Sequence, residues 1–382
     1  MRVLVVGAGI SGLFIAYSLA RRGVEVTIVE KEYPGAGSTG RCATGIRASF
    51  TSREHVELMK RSIELWREYS RGELGEHGLK YVESGYLWIA RRVETLERLR
   101  ELEKMQNSLG VPTKVVDAST VERLAPLIDA SAVAGALYDP IAGKSYVFDT
   151  LRALLRVCRS MGVEMVVGKE VTGFRVSNER VVEAQTSDGS SIRADYFVIA
   201  AGAESRELLK RLGIDVPIKN IPRHIVATEQ FREVLEPLVI DWDTPGAPYI
   251  VQVGDGAFLM GRDIEDEPEA PLYSERIDFY RAVLAPLTRL FPFLKRVRIV
   301  RYWIGYYVTT PDNHPVYGPI PGIENLLVAT GFSGHGYMLG PITGEIIAQW
   351  IVSGDPGIEA AKRLTIERFE RGELVKELAV VG

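Results

Sequence analysis

The chain has 382 residues, 46% of them hydrophobic and 25% charged, which excludes disordered and fibrous classes and leads us to expect two interleaved domains, each with its own core. Its 46 basic and 50 acidic residues give a formal charge of -4 without long blocks of one sign, so nucleic acid and anionic membrane are disfavoured as partners and a small molecule is favoured. Two cysteines, Cys42 and Cys158, are too few for a disulfide framework and lack the spacing of a zinc site; no metal and a reducing cytoplasm are expected, with peripheral attachment to the inner face of the membrane compatible.

Residues 2–6 form a β-branched run without alternation, the pattern of a buried parallel strand, and 11–22 carry helix formers at helical spacing. With a second strand over 24–30 they make one βαβ unit. The apolar start superficially resembles a signal peptide, but Gly7, Gly9 and Gly12 interrupt it and no small-residue cleavage site follows. A Gly/Ser/Thr-rich loop over 35–45 leads to an amphipathic helix over 53–71, with Val56, Met59, Ile63 and Trp66 on its apolar face. Residues 81–144 combine an aromatic strand (Tyr86, Leu87, Trp88) with a charged helix over 93–109 and break the βαβ rhythm, as an insertion does.

The rhythm resumes with a helix over 149–161 and a strand over 163–167. Strands follow at 171–176 and 181–186, with Asp188-Gly189 as the turn signal of the pair, and at 196–201, ending in Gly202. Residues 218–301 read as strands broken by proline-rich loops and one helix over 274–290. The chain returns with a strand over 326–329, a glycine-rich loop and a helix over 341–352. Glycines, Ser333, His335 and Glu345 keep the apolar stretch 326–352 from being a simple membrane span. The closing segment 363–378 is charged and amphipathic, suited to docking on a partner subunit or on the protein's own surface.

Val6-Gly7-Ala8-Gly9-Ile10-Ser11-Gly12 follows a strand and opens a helix, the context in which such glycines hold a dinucleotide. Gly7 permits the tight turn, Gly9 lets backbone approach a pyrophosphate, and Gly12 lets helix and strand pack closely, while the helix start offers N–H groups and a positive dipole end. Glu30, closing the second strand, is placed to accept hydrogen bonds from ribose hydroxyls. A carboxylate there disfavours a 2′-phosphate, which leaves NAD or FAD.

Three further segments select FAD by resemblance. Gly37-Ser38-Thr39-Gly40-Arg41-Cys42-Ala43-Thr44-Gly45-Ile46-Arg47, Ile199-Ala200-Ala201-Gly202 and Gly331-Phe332-Ser333-Gly334-His335-Gly336 resemble the later flavin-contacting segments of the D-amino-acid oxidase and sarcosine oxidase superfamily. The resemblance implies an α/β fold: a Rossmann-type FAD-binding domain (1–83, 146–217 and 312–382) interleaved with an α+β substrate domain built on a mixed antiparallel sheet (84–145 and 218–311). It places Gly7, Gly9, Ile10, Ser11, Gly12, Glu30 and Lys31 at the adenosine diphosphate, and Val171 at the adenine. Ser38, Thr39, Arg41, Gly45, Ile46, Ala201, Gly202, Gly331, Gly334, His335, Gly336, Tyr337 and Met338 complete the flavin contacts. A glycine loop ahead of a helix near Pro341 can also offer N–H groups to the negative charge that develops at flavin N1/O2 on reduction.

Within the superfamily the 37–47 segment, Trp303-x-Gly305-Tyr306-Tyr307 with Thr310-Pro311-Asp312, and the tail Arg368-Phe369-Glu370-Arg371-Gly372-Glu373-Leu374 are most similar to the catalytic β subunit of archaeal dye-linked L-proline dehydrogenases. The resemblance implies that Arg47 clamps a substrate carboxylate, a role suited to a planar guanidinium, and that His224 and Tyr249 stand near the flavin face. His335, inside the flavin loop, is expected to orient loop or ring rather than act as a base. His55 and His77 read as surface residues.

Three departures from monomeric sarcosine oxidases matter. Gly305 stands where they carry the flavin-linking cysteine, so FAD is expected to be noncovalent. Met338 and Leu259 replace a lysine that assists the arginine and a lysine that activates oxygen. Without that cation, superoxide beside reduced flavin loses electrostatic stabilisation, and a quinone, a second flavin or a dye is the expected acceptor, reached directly or through another subunit. The expected reaction is L-proline oxidation to Δ1-pyrroline-5-carboxylate. The alternatives are an oxygen-using oxidase of sarcosine, glycine or a D-amino acid, and a flavin-binding subunit without amine chemistry.

Overall fold

The computed structural model describes residues 1–272 and 276–380. Its first large sheet has six strands in the order Val316–Ile320, Ile323–Thr330, Tyr196–Ile199, Arg2–Val6, Glu25–Glu30, Glu164–Val167. Arg2–Val6 runs parallel to both neighbours, and only the edge hairpin Val316–Ile320/Ile323–Thr330 is antiparallel. Both faces are covered, which is why the central strand reads as an unbroken apolar run from Val3 to Val6. Val3 and Val5 pack with Leu13, Ile15 and Leu19 of helix Ile10–Ala20 and with Ile346 and Ile347 of helix Gly340–Ser353. Leu4 and Val6, one residue out of phase, pack instead with Phe197, Leu208 and Val181.

The second sheet has eight strands in the order Ile299–Thr309, Lys219–Gln230, Ala257–Gly261, Tyr249–Gln252, Leu238–Asp241, Tyr86–Ala90, Gly135–Asp139, Lys114–Val116. It is antiparallel except where Leu238–Asp241 lies beside Tyr86–Ala90. Pro222 sits where Lys219–Gln230 pairs on one side only, with Tyr306, an edge-like position of the kind at which a strand tolerates proline. Helix Ile277–Leu290 covers the outer face, where Phe279, Val283 and Leu287 meet Val226, Phe258 and Met260. The other face, with Ile225, Ala227, Tyr249 and Val251, joins the core shared with the first sheet.

Helix Arg53–Arg71 follows the sequence pattern, with Trp66 fully buried. Strands Lys114–Val116, Gly135–Asp139 and Val316–Ile320 and helices Ala118–Leu124 and Ser205–Arg211 are not among the expected elements; they are short or carry glycine and proline, so their local periodicity is weak. One turn also differs. Asn178 and Glu179, both left-handed at φ 50° and 58°, close the hairpin Val171–Ser177/Arg180–Thr186 in the manner of a two-residue turn, whereas Asp188 and Gly189 lie between Arg180–Thr186 and Ser191–Ile192. The expected helix start at Ser274 lies outside the described residues. The closing segment forms only the short helices Glu359–Arg363 and Arg368–Arg371, and its Arg368, Glu377 and Ala379 are buried on the protein's own surface. No helix among the described residues is long and apolar enough to cross a membrane.

Candidate active site

Between the two sheets runs a cavity that starts at the phosphate-type turn. Gly7 has φ +103°, and a Cβ there would stand 2.6 Å from the Ala200 carbonyl oxygen, so only glycine lets this turn pass beside the neighbouring strand end. Gly7, Gly9, Ile10 and Ser11 border the cavity. Gly12 does not; it packs on the Gly7 carbonyl. The Ile10 N–H donates to Thr39 Oγ1 at 3.0 Å, which ties the second glycine-rich loop to the first helix.

Glu30, 8% exposed, borders the same end and accepts from the Ala8 N–H at 2.8 Å and the Glu32 N–H at 2.9 Å. Lys31 reaches across to Glu204 at 2.7 Å, with Val171, Ala201 and Gly202 beside them. Because the Ala8 donor is buried, removing its acceptor leaves a desolvated N–H unpaired. Glu30→Ala is therefore expected to cost about 1–3 kcal/mol of stability and to weaken FAD retention on the order of tenfold or more, measured by denaturant unfolding and by titration of flavin fluorescence.

Farther along, the 37–45 loop is pinned to strand Ile299–Thr309. Ser38 Oγ donates to the Tyr306 carbonyl at 2.7 Å and Trp303 Nε1 to the Arg41 carbonyl at 2.9 Å. Arg41 folds back onto the carbonyls of Ala36 and Gly37. Ser38, Thr39, Arg41 and Gly45 border the cavity, whereas Ile46 is fully buried and pairs with Gly143. Opposite stand Gly334, His335, Gly336, Tyr337 and Met338. A Cβ on Gly334, at φ +92°, would lie 2.2 Å from the Tyr307 ring, and Gly331 sits behind the loop against Thr310. The Met338 carbonyl accepts from Ser62 Oγ at 2.6 Å and Trp66 Nε1 at 3.0 Å, so helix Arg53–Arg71 fixes the end of this loop. The walls fit FAD: a carboxylate at the nucleoside end, a helix N-terminus at the phosphates, and Thr44 Oγ1 at the ring end, buried without a protein partner among the described residues.

The inner end is formed by Arg47, Tyr86, Tyr249, Tyr307 and Arg223. Arg47 is 2% exposed; its guanidinium carbon lies 4.2 Å from the Phe50 ring centre and 5.1 Å from that of Trp88. Nη2 donates to the Ala379 carbonyl, and Nε is buried without a partner among the described residues. Burial lowers its proton affinity, opposed by Tyr86 and Glu377. Burial also pushes the Tyr249 hydroxyl far up and that of Tyr307 up to about 12, so both are neutral at pH 7.

His224 is not at this wall. Adjacent residues of a strand face opposite sides, and His224 points to the outer face, with Nδ1 2.5 Å from the Tyr302 hydroxyl, Nε2 3.3 Å from Glu267 and its ring against Phe279. The cavity side belongs to Arg223, which sequence reasoning missed although alternation marks it once His224 is assigned outward. Arg223 pairs with Asp263 at 2.5 Å and lies 5.5 Å from the Tyr307 ring centre. Met338 borders the cavity, but Leu259 packs in the core beside Ala227 and Val251 rather than at the wall.

His55 is likewise not on the surface. It is fully buried, because it falls on the Met59–Ser62–Trp66 stripe of helix Arg53–Arg71. Its Nδ1 lies 3.0 Å from His314 Nδ1, and its ring centre 4.7 Å from that of His335. Burial lowers the proton affinity of all three; Arg47 adds to the effect at His335, and His335 and His314 add to it at His55. Unfolded histidines take up protons below about pH 6.5 and these do not. Their linkage therefore leaves stability intact above that pH and removes it as pH falls below. The denaturant midpoint is expected to be level above about pH 7 and to drop steadily below about pH 6.5.

Residues 2–350 match the DAO family, FAD dependent oxidoreductase. The L-proline dehydrogenase of P. horikoshii superposes with a TM-score of 0.93 at 34% identity, covering 98% of each chain. The glycine oxidase of Geobacillus kaustophilus superposes with a TM-score of 0.87 at 25% identity, covering 96% of this chain and 99% of that one. The sarcosine oxidase subunit beta of Arthrobacter sp is 29% identical over 385 residues, spanning 98% of this chain and 92% of that subunit. The chain belongs to the DAO family of FAD-dependent oxidoreductases.

Proposed function

We propose that the chain is a dehydrogenase of a small secondary-amine amino acid, L-proline first, that passes electrons to an acceptor other than oxygen. The observation that carries this is Arg47, a desolvated guanidinium at the inner wall between Phe50 and Trp88, together with the likeness to an L-proline dehydrogenase. Arg47 holds the substrate carboxylate, and the neutral hydroxyls of Tyr249 and Tyr307 are donors beside it. His335 orients the glycine-rich loop. FAD, when bound, supplies the hydride acceptor for the carbon next to the nitrogen. The protein's own contribution is to fix that carbon and exclude water, since orientation alone lowers such barriers by several kcal/mol. Gly305 offers no nucleophile at the cavity wall, in keeping with FAD held noncovalently.

The acceptor proposal rests on Met338 at the wall and on Arg223 being neutralised by Asp263: an ion-paired cation stabilises superoxide less than a free one. Arg223 also favours a second reading, an oxidase that uses oxygen, because it is a cation bordering the same cavity. A quinone, a second flavin or a dye, reached directly or through another subunit, is the proposed acceptor. The likeness to a subunit of sarcosine oxidase supports the subunit route.

Anaerobic mixing with L-proline is expected to bleach the flavin band, and sarcosine, glycine and D-amino acids to do so more slowly. In air, dye reduction should outpace peroxide formation. Peroxide at the full turnover rate would favour the oxidase, and an unchanged band with every amino acid would make the chain a flavin-binding subunit.

A further inference from the structure

The closing segment is wired to the inner wall of the cavity. The Glu377 side chain, fully buried, accepts from the Thr51 N–H at 3.0 and 3.1 Å, Thr51 Oγ1 at 2.5 Å, the Ser52 N–H at 2.8 Å, Ser52 Oγ at 2.6 Å and the Ala379 N–H at 2.7 Å. Ser52 stands at the N-cap position of helix Arg53–Arg71, its hydroxyl spent on Glu377 rather than on the helix, so this carboxylate also faces the positive end of that helix. The Glu377 backbone is held by Asn313 Nδ2, which donates to its carbonyl at 2.9 Å, and by the Asp312 carbonyl, which accepts its N–H at 2.9 Å. Two residues on, the Ala379 carbonyl accepts from Arg47 Nη2. Ala379 does not border the cavity and Arg47 does, so the strap grips the guanidinium from behind and leaves its other edge to the cavity.

Resting on Arg47 as the carboxylate anchor, we propose that Glu377 is a positioning residue for the reaction: it sets the strap whose Ala379 carbonyl aims Arg47 at the substrate carboxylate. Among the described residues, every hydrogen-bond partner of the Glu377 carboxylate is a donor, and an anion that accepts from all of them is what the site is built for. A guanidinium that loses its rear acceptor regains rotamer freedom, and a carboxylate ligand must then order it on binding. The consequence falls on ligands that carry a carboxylate and spares those that do not.

The test uses the FAD-loaded full chain and two ring compounds that cannot be oxidised at nitrogen, tetrahydrofuran-2-carboxylate and its amide, with binding read from the flavin absorption spectrum. Glu377→Gln turns an amide NH2 toward groups that donate. It is expected to weaken the carboxylate on the order of tenfold, the scale of one hydrogen bond to a charged group, with amide binding unchanged. The KM for proline should rise by a similar factor with kcat nearly constant. Asn313 sits at φ 60°, which glycine accepts, so Asn313→Gly loosens only the strap backbone and should give a smaller shift of the same kind should Glu377→Gln fail to fold. Equal weakening of both compounds, or of neither, overturns the proposal. Arg47→Met separates the two ideas. If it spares the carboxylate, the anchor itself falls; if it abolishes the preference while Glu377→Gln and Asn313→Gly keep it, only the strap falls.

Discussion

Arg47→Met should cut kcat/KM for proline on the order of 10²- to 10³-fold, about 3–4 kcal/mol, the usual cost of removing one partner of a desolvated, hydrogen-bonded charge pair. Methionine fills the space between Phe50 and Trp88 with a side chain that packs well on aromatic rings, so the fold and the FAD content are expected to persist. The loss should appear mainly in KM, because a carboxylate grip is felt alike in ground and transition states. Arg47→Lys is no rescue: a point charge on a flexible stem cannot present the planar fork, nor keep the Nη2 bond to Ala379 while facing a carboxylate. Stopped-flow flavin reduction against proline concentration measures both terms. A KM within threefold of wild type in the methionine variant would mean that Arg47 is only a structural cation.

Most of the first sheet, though not its edge strand Val316–Ile320, was legible because its signals are local. Val3–Val6 is an apolar run, Glu25–Glu30 carries Val26, Ile28 and Val29, and Gly7 and Gly9 after the first strand and Glu30 at the end of the second stand at fixed offsets. The second sheet was not, since its order depends on contacts far apart in sequence: nothing near Tyr86–Ala90 announces that it lies parallel to Leu238–Asp241. The histidines show how residue type can mislead where periodicity would not. His55 occupies an inward position of helix Arg53–Arg71, yet its polarity suggested the surface. His224 attracted attention for its chemistry, while the alternation of Lys219–Gln230 sends Arg223 to the cavity instead. His314 had no local signal at all; it is buried by partners at His55 and on the closing segment.

That closing segment depends on one buried ion pair, and breaking it should give the largest stability loss of any single change considered. Arg368 and Asp312 are each 1% exposed and meet at 2.8 and 3.1 Å through two nitrogens and two oxygens. Arg368 also donates to the carbonyls of Leu364, Thr365 and His314 and lies over the Phe369 ring. Arg368→Met strands the Asp312 carboxylate in the interior, at a cost of about 3–5 kcal/mol, a large share of ordinary domain stability. Burial opposes the charge on Asp312, but Arg368 and the His314 N–H together outweigh it and hold the carboxyl below its usual range. In the wild type, this stabilisation is complete above about pH 4 and is lost as pH falls through the lowered value. Without Arg368 the carboxyl titrates higher, so acid relieves the variant before it harms the wild type. Their denaturant midpoints are expected to differ most near pH 7 and to converge toward pH 4, and replacing both partners by apolar residues should recover much of the loss. Because the Asp312 carbonyl also accepts the Glu377 N–H, Arg368→Met should loosen the strap behind Arg47 as well. Its KM for proline should then rise even at temperatures where the protein is fully folded, which a purely global destabilisation would not produce.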